Sequence, residues 1–189
     1  MAKTIFYDAT AIDRTQLTEL MSDSDHELIF ESASLNEKNI HEDAEVVSTF
    51  VSSKIDNSLF DKMPRLRLIA TRSTGFDHLD LMYLKNRDIK VVNVPTYGNN
   101  TVAEHTFALL LSLTKKLPLV TSMVERQGLA VNPRYTGIDL KDKTIGIIGF
   151  GHIGKCVAKI AYGFGMKILA NNRRVDQEFI DNYNVEFLP

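Results

Sequence analysis

The 189-residue sequence has one cysteine, no excess of either charge and no long apolar run. Each shortage excludes something. A single thiol, Cys156, cannot close an internal disulfide, and its scarcity leads us to expect a reducing, cytoplasmic setting. The 22 Lys and Arg against 24 Asp and Glu leave a formal charge of −2. A nucleic-acid binder shows a basic excess or patch, and here the longest basic cluster is Arg173-Arg174. No nucleic-acid partner is expected. The most apolar stretch, residues 107–113, is far shorter than the ~20 residues that span a bilayer, so no membrane role is expected. The start reaches Asp8 too soon for the apolar region of a signal peptide. No internal repeat or low-complexity tract is present. What remains is 44% apolar and 24% charged, the balance of a folded chain and not of a disordered one. The length fits one large domain or two small ones.

Short β-branched runs alternate with helix-like segments through the first half. Strands are expected at 4–7, 28–30, 46–51, 68–71 and 91–94, and helices at 15–22, 56–63 and 79–86. Alternation of this kind predicts an α/β fold, a parallel sheet covered by helices. At Thr101 the texture changes. Thr101-Val102-Ala103-Glu104 has the form of a capping box, and 102–117 then reads as one long helix closed by Pro118. Its middle is apolar nearly all round, which implies burial between domains or between subunits. Residues 119–143 read as irregular, and a stretch of that length is more often functional than filler.

A βαβ unit follows: a strand at 144–148, a helix at 155–164 and a strand at 166–170, then a helix at 175–183 and a short strand at 185–188. Between the first strand and helix lies Gly149-Phe150-Gly151-His152-Ile153-Gly154. G-x-G-x-x-G alone is weak, but in this context it points to a dinucleotide. Gly149 permits a tight turn, Gly151 leaves room for a pyrophosphate, and Gly154 lets the helix approach the strand. The free N–H groups of His152 and Ile153 favour the anion. An acid that holds the ribose hydroxyls is expected about 20 residues on, at the end of the second strand. The sequence there is Asn171-Asn172-Arg173-Arg174. Asn172 can still bond a ribose hydroxyl without repelling a 2′-phosphate, and Arg173 or Arg174 can pair with that phosphate. A solvated strand end is the other reading, and both stay open.

Four motifs carry a resemblance over the whole chain. They are Arg72-Ser73-Thr74-Gly75-Phe76-Asp77-His78-Leu79-Asp80, Val92-Asn93-Val94-Pro95-Thr96-Tyr97-Gly98, Thr101-Val102-Ala103-Glu104-His105-Thr106 and the turn 149–154. In order and spacing the chain resembles the D-isomer-specific 2-hydroxyacid dehydrogenases, most closely their D-lactate dehydrogenase-like branch. The resemblance implies a flavodoxin-like substrate domain, residues 1–100, followed by an incomplete Rossmann dinucleotide-binding domain, residues 101–189. It implies hydride transfer between nicotinamide C4 and C2 of a small 2-oxo or 2-hydroxy acid, with NAD or NADP as cofactor. It implies a homodimer through the region of helix 101–117. Residue by residue, Ser73, Thr74 and Gly75 would bind the substrate carboxylate through the loop backbone, and Tyr97 would line the substrate pocket. Asn100 to Val102 would lie near the nicotinamide. Gly149, Gly151, His152, Ile153 and Gly154 would hold the pyrophosphate, and Asn172 and Arg173 the ribose side. No metal is implied.

The chain departs from the family in two places. Asn172 stands where the family has its ribose-binding Asp. The family's catalytic Arg, Glu and His come after the third strand of its cofactor domain, and this sequence stops before them. The chain is therefore expected to be an inactive N-terminal part of such an enzyme. The alternative is a non-catalytic protein of that descent which binds a dinucleotide or dimerises. No residue present is expected to replace the missing acid. His26 and His41 read as solvated, His78 lies near the supposed substrate loop, His105 reads as packed or capping, and His152 acts through its backbone. Arg72 is the best remaining cation, expected to pair with Asp77 or Asp80. Cys156 reads as a small core residue.

Overall fold

The computed structural model describes residues 2–53, 55–128 and 133–188. Contacts divide the chain into two compact units, Met1–Pro95 and Thr96–Pro189. This division groups residues 96–100 with the second unit.

The first unit runs β1 (Ala2–Phe6), α1 (Ala11–Leu20), β2 (His26–Phe30), β3 (Val46–Thr49), α2 (Asn57–Asp61), β4 (Leu68–Thr71), α3 (Leu81–Asn86) and β5 (Lys90–Val92). Its strands form one parallel sheet in the order β2-β1-β3-β4-β5. That is the flavodoxin-like order, with the chain reversing direction of growth between β1 and β3. Ile5, Val47, Ile69 and Val91 stand in one register row across four strands. They pack with Phe60, Met63 and Leu84 in a single core. All four residues of β3 are buried, as a central strand covered on both faces requires. The helix starts follow their caps. Thr10 and Asp13 form a capping box that opens α1 four residues earlier than the apolar spacing suggests. Asp56 and Asp80 cap α2 and α3 through the N–H groups of Ser58 and Tyr83.

Two buried side-chain atoms in this unit, Thr49 Oγ1 and His78 Nε2, have no hydrogen-bond partner among the described residues. Thr49 is fully buried at the end of β3. A buried hydroxyl without a partner costs about 1–3 kcal/mol. Thr49→Val keeps the shape and removes the hydroxyl. We expect it to raise the thermal midpoint, by roughly 1 kcal/mol of stability, in a calorimetric scan. A lowered midpoint would mean that Oγ1 does make a bond in solution.

The second unit runs α4 (Asn99–Thr114), α5 (Leu117–Gln127), a 3₁₀ turn (Pro133–Tyr135), β6 (Thr144–Ile148), α6 (His152–Gly163), β7 (Lys167–Asn171), α7 (Gln177–Tyr183) and β8 (Val185–Phe187). Here the structure corrects the expected single helix over 102–117. The chain forms two helices bent by 57°. Lys116, with φ +54°, breaks them. Pro118 stands in the first turn of α5, where its missing N–H removes no helical bond, so it opens a helix instead of closing one. The expected irregular stretch 119–143 is accordingly helical at its start, and residues 129–132 lie outside the described residues. The Thr101–Glu104 capping box is also absent. Both residues are inside α4, which begins after Gly98 with no side-chain cap. All-round burial of α4 is not seen within one chain. Ala103 and Phe107 are its buried residues, while Leu109 is 60% and Leu113 77% exposed.

Strands β6, β7 and β8 are parallel and in sequence order, one βαβαβ half of a doubly wound sheet. Ile147, Ile168, Ala170 and Val185 pack against Val157, Ala158, Ala161 and Phe179. β6 is an edge strand among the described residues, and Ile148 on it is 93% exposed. No single described helix is long and apolar enough to cross a membrane.

Candidate functional site

Residues 73–75 follow β4 after a single residue, Arg72, at the carboxyl end of the parallel sheet where open α/β sheets bind ligands. Their carbonyls are all occupied. Val94 N–H donates to Ser73 O at 3.1 Å, the Asn93 side-chain amide to Thr74 O at 2.8 Å, and Ser73 Oγ to Gly75 O at 2.7 Å. Thr74 Oγ1 donates to Val94 O at 3.0 Å. Ser73 is 2% exposed, and with its own hydrogen given to Gly75 O its hydroxyl oxygen accepts from Thr71 Oγ1 at 2.6 Å. In a trans peptide the N–H points opposite to the C=O. Tying the Ser73 and Thr74 carbonyls therefore aims the N–H groups of Thr74 and Gly75 the other way. Among the described residues neither N–H has a protein acceptor. Thr74 and Gly75 are exposed. The loop is thus a small fixed surface of free donors, suited to an anion such as a carboxylate.

Beside it lies a constellation that sequence reasoning missed. Asp8, just past β1, has φ +54°. Its carboxylate accepts from Ser34 Oγ at 2.5 Å, Ser53 Oγ at 2.7 Å and Ser52 Oγ at 2.9 Å. Burial pushes this carboxyl up, but donation from Ser34, Ser53, Ser52 and the Phe50 N–H outweighs it and holds the group below its ordinary 3.8. Arg72 donates through Nη2 to Tyr7 O at 2.7 Å and Asp8 O at 3.2 Å, and through Nη1 to Ser48 Oγ at 3.0 Å. The expected pairing of Arg72 with Asp77 or Asp80 is therefore wrong. Asp80 is taken up by the Tyr83 N–H and the Asn57 amide. Burial lowers Arg72 from its usual value while the charges of Asp13 and Asp8 oppose this, and it stays protonated.

The Asp8 carboxylate gives a testable pH dependence. A carboxyl depressed in the fold contributes stability above its unfolded value, lost as pH falls through the folded one. Asp8→Asn should therefore destabilise the first unit at pH 7. Its stability should also fall less than the native chain's as pH drops below about 3.8. Denaturant titrations at pH 7 and pH 3 measure both. Equal acid sensitivity of the two chains would rule the contribution out.

The histidines are more engaged than their polar surroundings suggest. His26 Nδ1 lies 2.8 Å from Thr4 Oγ1, and His41 Nε2 lies 2.8 Å from Glu31 Oε1, so neither is simply solvated. His105 is exposed, not packed. His78 is half-buried, and its Nε2 has no partner among the described residues. Cys156 packs against the core of the second unit.

In the second unit the turn 149–154 has three different glycines. Gly149 adopts φ +91°, which L residues rarely do. A Cβ on Gly151 would meet nothing within 4 Å. One on Gly154 would sit 2.5 Å from Gly149 O and 3.3 Å from Ile147 Cγ2. Gly151 caps α6 without a side-chain bond, and the first helical bond is Lys155 N–H to Gly151 O. Among the described residues the N–H groups of His152, Ile153 and Gly154 have no acceptor and stand at the positive end of the helix. His152 and Ile153 are both exposed. Past β7, Asn172 donates to Arg174 O at 3.0 Å and to Phe150 O at 3.4 Å, which ties it to the glycine turn. A cavity of about 440 Å³ is lined, among the described residues, by Asn172, Arg173 and Arg174. Tyr97 (62% exposed), Asn100 and Val102 lie around the start of α4, and the Asn100 amide donates to Glu104 Oε1. No cluster of metal-ligating residues occurs among the described residues.

A free-donor loop at the end of β4 and a strand–GxGxxG–helix turn on a second parallel sheet match one known profile. The catalytic domain of the D-isomer specific 2-hydroxyacid dehydrogenases matches residues 5–186. The chain belongs to that family. It is 38% identical over 153 residues to a glyoxylate reductase of Thermococcus gammatolerans, covering 78% of this chain and 46% of that protein. The structure of the Aquifex aeolicus D-lactate dehydrogenase, complexed with NAD and lactic acid, superposes with a TM-score of 0.87 at 33% identity. That match covers 98% of this chain and 55% of the dehydrogenase. An acyclic imino acid reductase in complex with NADPH and D-Arg superposes at 0.79 with 29% identity, covering 98% of this chain and 60% of that one. This dehydrogenase-family chain spans about half the length of the curated relatives it matches.

Proposed function

We propose that the chain supplies the substrate loop and the nucleotide-binding half-sheet of an NAD(P)-dependent D-2-hydroxyacid dehydrogenase. The whole protein would transfer a hydride between nicotinamide C4 and C2 of a small 2-oxo or 2-hydroxy acid. The observation that carries the reading is the turn 149–154. Its middle glycine faces open space beside three free N–H donors, and its last glycine is needed for packing. That combination suits a pyrophosphate more than a purely structural turn.

In this reading Gly149, Gly151, His152, Ile153 and Gly154 hold the pyrophosphate, and Asn172 and Arg173 meet the adenosine ribose. Ser73, Thr74 and Gly75 receive the substrate carboxylate through the Thr74 and Gly75 N–H groups. Tyr97 lines the substrate pocket, and Asn100 and Val102 lie near the nicotinamide. The NAD complex of the Aquifex relative and the NADPH complex of the imino acid reductase support a nicotinamide cofactor of either kind. The exposed Leu109 and Leu113 of α4 support a homodimer through that helix.

Titrating the 189-residue chain with NADH and NADPH, with fluorescence as the readout, tests the reading. Saturable binding, lost when the turn is altered, is expected. The Arg, Glu and His that the family resemblance calls for are not among these residues. The chain should therefore bind cofactor without oxidising it in the presence of pyruvate, glyoxylate or hydroxypyruvate. Failure to bind either cofactor would refute the proposal, and substrate-dependent oxidation would refute the expected inactivity.

A further inference from the structure

The crevice between β1 and β3, where a sheet of this order ordinarily takes its ligand, is filled by the chain's own groups. The Asp8 carboxylate sits there with three serine hydroxyls donating to it. A carboxylate offers about four lone-pair sites, so most of Asp8's accepting capacity is taken by the chain itself. Its side chain joins the segment after β2, through Ser34, to the segment after β3, through Ser52 and Ser53. Its own carbonyl accepts from Arg72.

Arg72 completes the rim. It is the residue between β4 and the donor loop. Its N–H donates to Thr49 O at 2.8 Å, and its guanidinium passes over β3, through Ser48, to two carbonyls beyond β1. Strands β4 and β1 are not neighbours, so no ladder bond can do this. The far side of the loop is tied by Asn93 and Val94 to β5, an edge strand. Without Arg72 the loop would hang from that edge and from the end of β4.

We propose that Arg72, braced by Asp8, is a positioning residue that fixes the peptide planes of residues 73–75 and so presents the Thr74 and Gly75 N–H groups to an anion. The inference rests on the carboxylate-binding reading of that loop, and the test separates the two.

The experiment is ¹⁵N relaxation on the full chain, free and titrated with pyruvate. In the native chain the Thr74 and Gly75 N–H vectors should have order parameters near about 0.85. Arg72→Met should drop them below about 0.6, with the Ile5, Val47 and Ile69 amides unchanged. Pyruvate affinity, read at the same two amides, should weaken at least about tenfold, one decade of binding constant. Arg72→Lys should restore part of the order, since one ammonium can reach only part of what a planar fork holds. Should Arg72→Met fail to fold, Ser48→Ala removes a single acceptor of the guanidinium and should move both readouts the same way by less. Unchanged order at Thr74 and Gly75 in a folded Arg72→Met, or in Ser48→Ala where Arg72→Met does not fold, overturns the positioning role. Lost order with no saturable pyruvate response in the native chain supports the positioning role and overturns the carboxylate reading instead.

Discussion

Gly151→Ala is expected to leave the thermal midpoint of the chain unchanged and to weaken nicotinamide dinucleotide binding by roughly thirtyfold. Gly154→Ala is expected to lower the midpoint sharply. The two glycines lie three residues apart in one turn, and the difference comes from what surrounds each. Gly151 has φ −85° and ψ −157°, open to any residue, and its added Cβ meets no protein atom. The new methyl would occupy only the space in front of the His152 and Ile153 N–H groups. Keeping a pyrophosphate off these donors forfeits charge-assisted hydrogen bonds worth about 2 kcal/mol, which is roughly thirtyfold in affinity. At Gly154 helix propensity alone favours alanine by about 1 kcal/mol. The collision at 2.5 Å with the Gly149 carbonyl wins, because backbone on both sides of a packed turn cannot yield cheaply. Overpacking of that kind costs about 1–3 kcal/mol or more. Calorimetry and a cofactor titration on both variants decide the matter. A Gly151→Ala chain that binds like the native one would show that the open space is not where the cofactor sits.

The glycine turn was legible because everything it needs is local. Strand, three glycines and helix follow one another within about twenty residues, and the first unit's strands were legible for the same reason, as short apolar runs between polar helices. What escaped was of two kinds. The break between α4 and α5 depends on Lys116 adopting a positive φ. Lysine carries no sign of that conformation, and Pro118 is equally at home after one helix and at the start of the next. The guanidinium partners of Arg72 lie 65, 64 and 24 positions away. Along the chain the nearest carboxylates are Asp77 and Asp80, which is where a local pattern places the ion pair. Only the strand order brings the ends of β1 and β3 alongside Arg72. Asn93, which pins the Thr74 carbonyl, was hidden likewise. The donors of the loop were found as a motif, while the groups that hold them in place were not.

The choice between the two nicotinamide cofactors should turn on three adjacent side chains. Asn172 is held against the glycine turn by its bonds to Phe150 O and Arg174 O, so the position of its amide is set by the fold. A carboxylate at that place would hydrogen-bond both ribose hydroxyls and repel a 2′-phosphate. An amide does the first weakly and the second not at all. The exposed guanidiniums of Arg173 and Arg174 line the same cavity, with no carboxylate among its described lining residues. A phosphate entering there would gain charge-assisted bonds, each worth about 1.5–3 kcal/mol. We therefore expect NADPH to bind at least as tightly as NADH. Arg173→Ala should cost NADPH about tenfold and NADH less than about twofold, since only the first carries the phosphate. Asn172→Asp should act the other way, weakening NADPH about tenfold or more through repulsion and tightening NADH. Paired titrations of the native chain and the two variants give six dissociation constants. A selective loss in the first variant and a reversal in the second would make these side chains the specificity determinant. Equal losses for both cofactors in Arg173→Ala would mean that its guanidinium is a solvated strand end, and the preference would have to arise elsewhere in the protein.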